Sequence, residues 1–166
     1  MRQNGSNLSN SSITISTLTL VNGIRGITDG SVASPGNVGE LISNLGSASS
    51  IGSSASYVAI ATITLTAGDW DINGHCQLAA GGSTSATAVI SGISTSSTTT
   101  SGDTTNNRSI VDYAIVANGV YDYFLGPSRA NITSTTVYYQ VCSLTYTVLG
   151  GAAWGADSYI VARRMR

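Results

Sequence analysis

Residues able to do chemistry are sparse in this chain, and two of them bracket a tryptophan. Asp69-Trp70-Asp71 places two carboxylates two residues apart, and a carboxylate pair can serve as acid and base in glycoside hydrolysis. The competing reading has Asp69 completing a tight turn, Thr66-Ala67-Gly68-Asp69, through its side chain while Trp70 packs into a core. The turn explains more of the segment. His75 is the only histidine, so a metal site would need it together with carboxylates such as Asp71. On one strand these two share a face but stand about 13 Å apart, too far to chelate one ion. His75 therefore reads as a strand histidine with a satisfied ring, and no metal or other cofactor is expected. Serines abound, yet no Gly-X-Ser-X-Gly elbow frames one as a nucleophile. An enzyme is not expected.

Other reactive types lead to the same place. Cys76 and Cys142 lie far apart in strand-like runs and read as buried thiols, a disulfide remaining open if both face the same layer. Ser34-Pro35-Gly36-Asn37-Val38-Gly39 is glycine-rich but lacks the Lys and long helix of a phosphate loop. Tyr121-Asp122-Tyr123-Phe124 is the densest aromatic group. Core or interface packing is its favoured role, and the alternative is glycan binding, with Tyr121 and Tyr123 stacking on sugar rings. Arg163, Arg164 and Arg166 close the chain and could bind an acidic surface or pair across subunits with Asp157, Asp112 or a carboxylate terminus.

Composition sets the elements that must position these residues. The 166 residues allow one modest core, with 9% charged residues, no lysine, 19 glycines, and Ser plus Thr above a quarter of the chain. A net charge of −1 gives no broad positive field for nucleic acid or an anionic membrane surface, so neither is an expected partner. The run Ile13–Val21 is too polar for a signal segment and too short to span a bilayer, and the chain reads as soluble.

Apolar residues cluster in β-branched and aromatic runs. Seven strand candidates follow one another: 57–66, 70–78, 86–95, 109–116, 120–125, 135–149 and 158–162. Gly, Ser, Asn and Asp separate them, as in an antiparallel sandwich or barrel. The run 135–149 is apolar on both parities, which fits a strand buried once in its own core and once against another subunit. Tyr138 and Tyr146 are the expected interface residues. Ser94–Asn107 reads as a polar, solvent-facing loop. Residues 40–45 allow one helical turn before a Gly/Ser hinge. The expected organisation is an N-terminal arm over 1–45 and a β-sandwich over 46–166. The arm's apolar residues Ile13, Ile15, Leu18 and Leu20 shift parity and have no core of their own, so they must pack on something else.

Four blocks, Ala33–Glu40, Ile63–Ile72, Ser91–Thr95 and Ile160–Arg166, occur in the same order in small structural proteins of tailed bacteriophages. Over residues 32–166 the chain resembles that family of head-decoration, head-fibre and tail-fibre-like proteins. The resemblance implies an all-β, antiparallel jelly-roll sandwich similar to the tumour necrosis factor fold. It also implies a homotrimer, attached by the arm to the major capsid protein or another virion protein at the particle surface. Recognition of host surface glycan is the competing role. The first forty residues show no heptad, collagen-like triplet or long repeat, which suits a compact knob seated on a particle better than a projecting fibre.

Overall fold

Alternation of apolar and hydroxyl residues makes Tyr57–Leu65 a strand with Ala61, Ile63 and Leu65 buried and Thr62 and Thr64 exposed. The same logic operates along the rest of the chain. The computed structural model describes residues 33–99, 108–111 and 115–165, and every regular element in them is a strand. In chain order these are β1 (Leu41–Leu45), β2 (Ser49–Ser50), β3 (Tyr57–Leu65), β4 (Gly68–Ala79), β5 (Ser85–Ser94), β6 (Arg108–Val111), β7 (Val120–Ile132), β8 (Thr136–Val148), β9 (Ala153–Trp154) and β10 (Tyr159–Arg164). Six of the seven strand candidates of the sequence coincide with β3, β4, β5, β7, β8 and β10; of the seventh, 109–116, residues 109–111 fall in β6 and 112–114 lie outside the described residues.

Two antiparallel sheets face each other. In the first, β1, β10 and β4 are neighbours and β7 pairs with β4, while short β9 and β2 extend the sheet beyond β10. In the second the order is β3-β8-β5-β6. The pairs β1–β10, β3–β8, β4–β7 and β5–β6 are nested one inside the next along the chain. Such a set is one long antiparallel hairpin rolled into two layers, which is a jelly roll.

The inner faces fill with two apolar clusters. One gathers Trp70, Ile72, Leu65, Ile93, Leu125, Tyr138 and Ile160. The other gathers Leu78, Val89, Tyr123, Leu144, Trp154 and the two cysteines. A polar layer separates them on three strands: Gly74 lies between Ile72 and Cys76, Ser91 between Val89 and Ile93, and Gln140 between Tyr138 and Cys142. Gln140 Nε2 donates to Ser91 Oγ at 2.8 Å across β8 and β5. A Cβ on Gly74 would overlap Gln140 Oε1 and stand 3.0 Å from its Cδ, so the missing side chain of β4 is what admits the glutamine.

Four expectations change here. Leu41–Leu45 is not a helical turn but strand β1, registered on β10 from Leu41↔Arg163 to Leu45↔Tyr159, with Ile42 packed on the first cluster. Because β1 belongs to a sandwich sheet, the boundary expected at 45/46 moves upstream, and residues 33–45 join the folded unit rather than the arm. Strand β7 runs past Leu125 to Ile132, crossing a register shift opposite Ile72/Gly74 that absorbs Gly126 and Pro127. Ser94 remains inside β5 and is buried. Ile13, Ile15, Leu18 and Leu20 lie outside the described residues.

Candidate interaction surface

The Asp69–Asp71 pair sits where β4 leaves its turn. Both face the outside of the sheet, while Trp70 between them is fully buried and donates Nε1–H to Thr66 O at 3.0 Å. Asp69 sends its carboxylate across to β7, where Arg129 Nε and Nη2 donate to its two oxygens at 2.7 and 2.6 Å. Such a fork is a charge-assisted bidentate pair, and its hydrogen bonds to Asp69 raise the Arg129 guanidinium above its ordinary value. Asp69 therefore belongs to a cross-strand clamp. Asp71 is registered between Arg163 and Arg129, while its partner Asp69 is committed to Arg129.

Behind this clamp is a corner built on Arg164. Its strand parity with Ile160 and Ala162 points it inward, and it is 5% exposed. Nε donates to Glu40 Oε2 at 2.9 Å, Nη1 to Ala67 O at 2.7 Å and Nη2 to Thr66 Oγ1 at 2.5 Å. The guanidinium lies 4.3 Å from the Trp70 ring centroid, a cation–π contact. A Cβ on Gly68 would overlap Nη1, so glycine is required at that turn position. Burial would raise the Glu40 carboxyl, but the Gly36 N–H at 2.8 Å and the Arg164 guanidinium outweigh it and hold it below its ordinary 4.5. Backbone bonds complete the corner: Gly39 N–H to Arg164 O, Arg164 N–H to Glu40 O and Met165 N–H to Asp69 O. Arg164, read from the sequence as able to bind an acidic surface or to pair across subunits, is thus an internal residue, and its inward parity was the signal that could have placed it.

Parity also sorts the aromatic group. Tyr123 is 5% exposed and sits in the second cluster. Tyr121 packs against the same cluster, with its hydroxyl accepting from Val116 N–H at 2.7 Å. Tyr123 is thus turned into the core and Tyr121 is half-buried against it; Asp122 and Phe124 are the members that face outward. Tyr138 is 4% exposed within its own sandwich, and Tyr146 donates its hydroxyl to Gly52 O at 3.0 Å while packing on the second cluster. Tyr138 is thus taken up by its own protomer's core, while Tyr146 is half-buried beside the second cluster.

The outer face of the β4 sheet carries what the sequence did not single out. Register places Leu45, Tyr159, His75 and Phe124 side by side across β1, β10, β4 and β7. The His75 ring stacks on Phe124 with centroids 4.5 Å apart and tilts against Tyr159 at 5.2 Å. Its Nδ1 donates to Asp157 O and its Nε2 meets Asp122 Oδ1, both at 2.9 Å, so the ring is satisfied as a strand histidine should be. The two ends of this row are open: Leu45 is 74% and Phe124 68% exposed, and Leu41 and Val120 add further apolar surface on the same face. Contiguous exposed apolar groups of this kind mark contact surfaces. Among the described residues no group of three or more His, Cys, Asp or Glu is placed to hold a metal ion.

Together these features define a jelly-roll β-sandwich with one partly apolar outer sheet face. The sequence matches no protein-family model and no curated protein. Among solved structures it is similar to a chain described as "Structure of infectious bursal disease virus Gx strain", at 11% identity and a TM-score of 0.45, over 86% of this chain and 38% of that one. The chain therefore spans well under half the length of the chain it matches.

Proposed function

We propose that this chain is a structural protein of a bacteriophage particle, a homotrimeric capsid decoration, cement or head-fibre protein that binds and stabilises the particle surface. The observation that carries this reading is where the family-like blocks fall. Ala33–Glu40, Ile63–Ile72 and Ile160–Met165 meet at the Arg164 corner, and Ile93 of the remaining block packs in the same cluster as Trp70 and Ile160. The likeness to phage structural proteins is thus concentrated in residues that build one end of a jelly roll, the fold that the likeness implies.

In this reading the work is physical. Protomers meet through the outer face of the β4 sheet, and obligate assemblies of this kind bury about 2,000 Å² or more. The arm, with Ile13, Ile15, Leu18 and Leu20, adds strands to or lies in grooves of the major capsid protein or another virion protein. Three linked arms bind with avidity that offsets weak single contacts. Deleting residues 1–21 is the test: the expected product is a soluble trimer that no longer binds particles. Truncated trimers that still decorate capsids would overturn the arm's role, and a full-length monomer in sedimentation would overturn the trimer.

A second reading, a tail-fibre protein recognising host glycan, draws on the outward placement of Phe124 beside Asp122, a ring for stacking next to a hydroxyl acceptor. Binding of purified protein to host cells, with blocked adsorption, would favour it.

A further inference from the structure

Cys76 of β4 and Cys142 of β8 belong to opposite sheets, yet both point into the same cluster and are fully buried. Both are free thiols. The Cys76 thiol lies against the Cys142 thiol and the Ser91 hydroxyl. Cys142 Sγ is 3.7 Å from Ser91 Oγ, and Gln140 Nε2 is 3.8 Å from Cys142 Sγ. Facing sheets ordinarily stand about 10 Å apart, and β4 and β8 bring some of their Cα atoms within 8 Å of one another. A cystine spans Cα separations of about 4.4–6.8 Å. The two thiols share one cluster and are side-chain partners within it, and a bridge requires their strands to stand within that range.

We propose that Cys76 and Cys142 form a disulfide between the two sheets, made by thiol–disulfide exchange with an external low-molecular-weight disulfide. One cysteine, as thiolate, attacks the external RSSR, forming a mixed disulfide and releasing one RS⁻. The second cysteine thiolate then attacks the protein sulfur of that mixed disulfide and releases the second RS⁻. The net change is two Cys–SH plus RSSR to one Cys–S–S–Cys plus two RSH. Two electrons pass from the cysteine sulfurs to the external pair, and the two thiol protons end on the released thiols. Burial, reinforced by the neighbouring Cys142, pushes the Cys76 thiol well above its ordinary range, so the closed core withholds the thiolate. Exchange then runs while the chain folds or when the core opens, and the finished bond is shielded from reductant. It would pin β4 of one sheet to β8 of the other.

The test uses the full chain in a series of oxidised and reduced glutathione mixtures. One set of samples is held in concentrated urea, and a matched set is refolded by dialysis into the same mixtures without urea. Each is acid-quenched and its intact mass read for loss of two hydrogens, with a proteolytic map to identify the Cys76–Cys142 peptide pair. A Cys142→Ala variant, which can only gain a glutathione, fixes the assignment of the mass change. If the fold brings the thiols together, the effective thiol concentration for bridging in the refolded set exceeds that of the urea set by about tenfold or more. An equal or lower value in the refolded set overturns the proposal, because the fold would then hold the sulfurs no better placed than the open chain does.

Discussion

Replacing Arg164 with Met keeps an unbranched stem over Trp70 and removes the guanidinium. Glu40 then loses a buried partner, its side chain being 9% exposed and that of Arg164 5%, and Ala67 O and Thr66 Oγ1 lose their donors. Breaking a buried pair by removing one member costs about 3–5 kcal/mol, and for a chain of this size that lowers the unfolding temperature by roughly 6–20 °C. The pH dependence carries the sharper signature. In the native protein the folded Glu40 carboxyl lies below its unfolded value of 4.5. Its contribution is therefore present above that value and is lost as pH falls through the depressed folded value. Without Arg164, burial acts on the carboxylate with only the Gly36 N–H opposing it, so protonation relieves the variant. The deficit of Arg164→Met should thus shrink between about pH 7 and about pH 4, and Glu40→Gln placed in the same chain should recover part of it. Urea unfolding followed by tryptophan fluorescence, at one fixed protein concentration because assembly shifts apparent stability, measures both variants against the parent. A deficit below about 1 kcal/mol, or one that does not change with pH, would refute a buried ionised pair at this corner.

Two further outcomes follow from the same structure. Gly74→Ala forces Gln140 away from Ser91 and should cost about 2–4 kcal/mol, overpacking plus one lost hydrogen bond; adding Gln140→Ala should recover part of the loss in a double-mutant cycle, and additive effects would show that the two do not share the space. Phe124→Ser removes an exposed ring whose stacking on His75 is worth about 1 kcal/mol or less to the protomer, yet it should weaken self-association if the β4 sheet face joins protomers. Sedimentation of the variant as an unchanged oligomer would move the interface elsewhere.

Much of the fold is legible in the chain because alternation is a local property. Tyr57–Leu65 and Thr136–Val148 declare themselves as strands, and Trp70 as a core residue, before any partner is known. β1 is not legible, since Leu41–Leu45 has too little pattern of its own and becomes a strand by pairing with β10, a segment more than a hundred positions later. β7 is legible only to Leu125, because Gly126 and Pro127 read as a stop until the bulge opposite Asn73 accommodates them. Alternation read along the last strand would have turned Arg164 inward. Charge conservatism kept it outside, because a buried arginine makes sense only once Glu40 is known to face it.

The amino-acid order by itself determined an all-β chain, the parity of most side chains and the scarcity of catalytic types. Parity, however, says which residues share a face and not what that face meets. The tertiary structure decided that Asp69 clamps Arg129, that Tyr138 and Tyr123 are spent inside the protomer, and that Leu45, Tyr159, His75 and Phe124 form one outer row. It also set Cys76 against Cys142. Each of these joins strands distant in sequence, and such contacts are fixed by register and by the closure of two sheets, quantities that no local pattern of residues encodes.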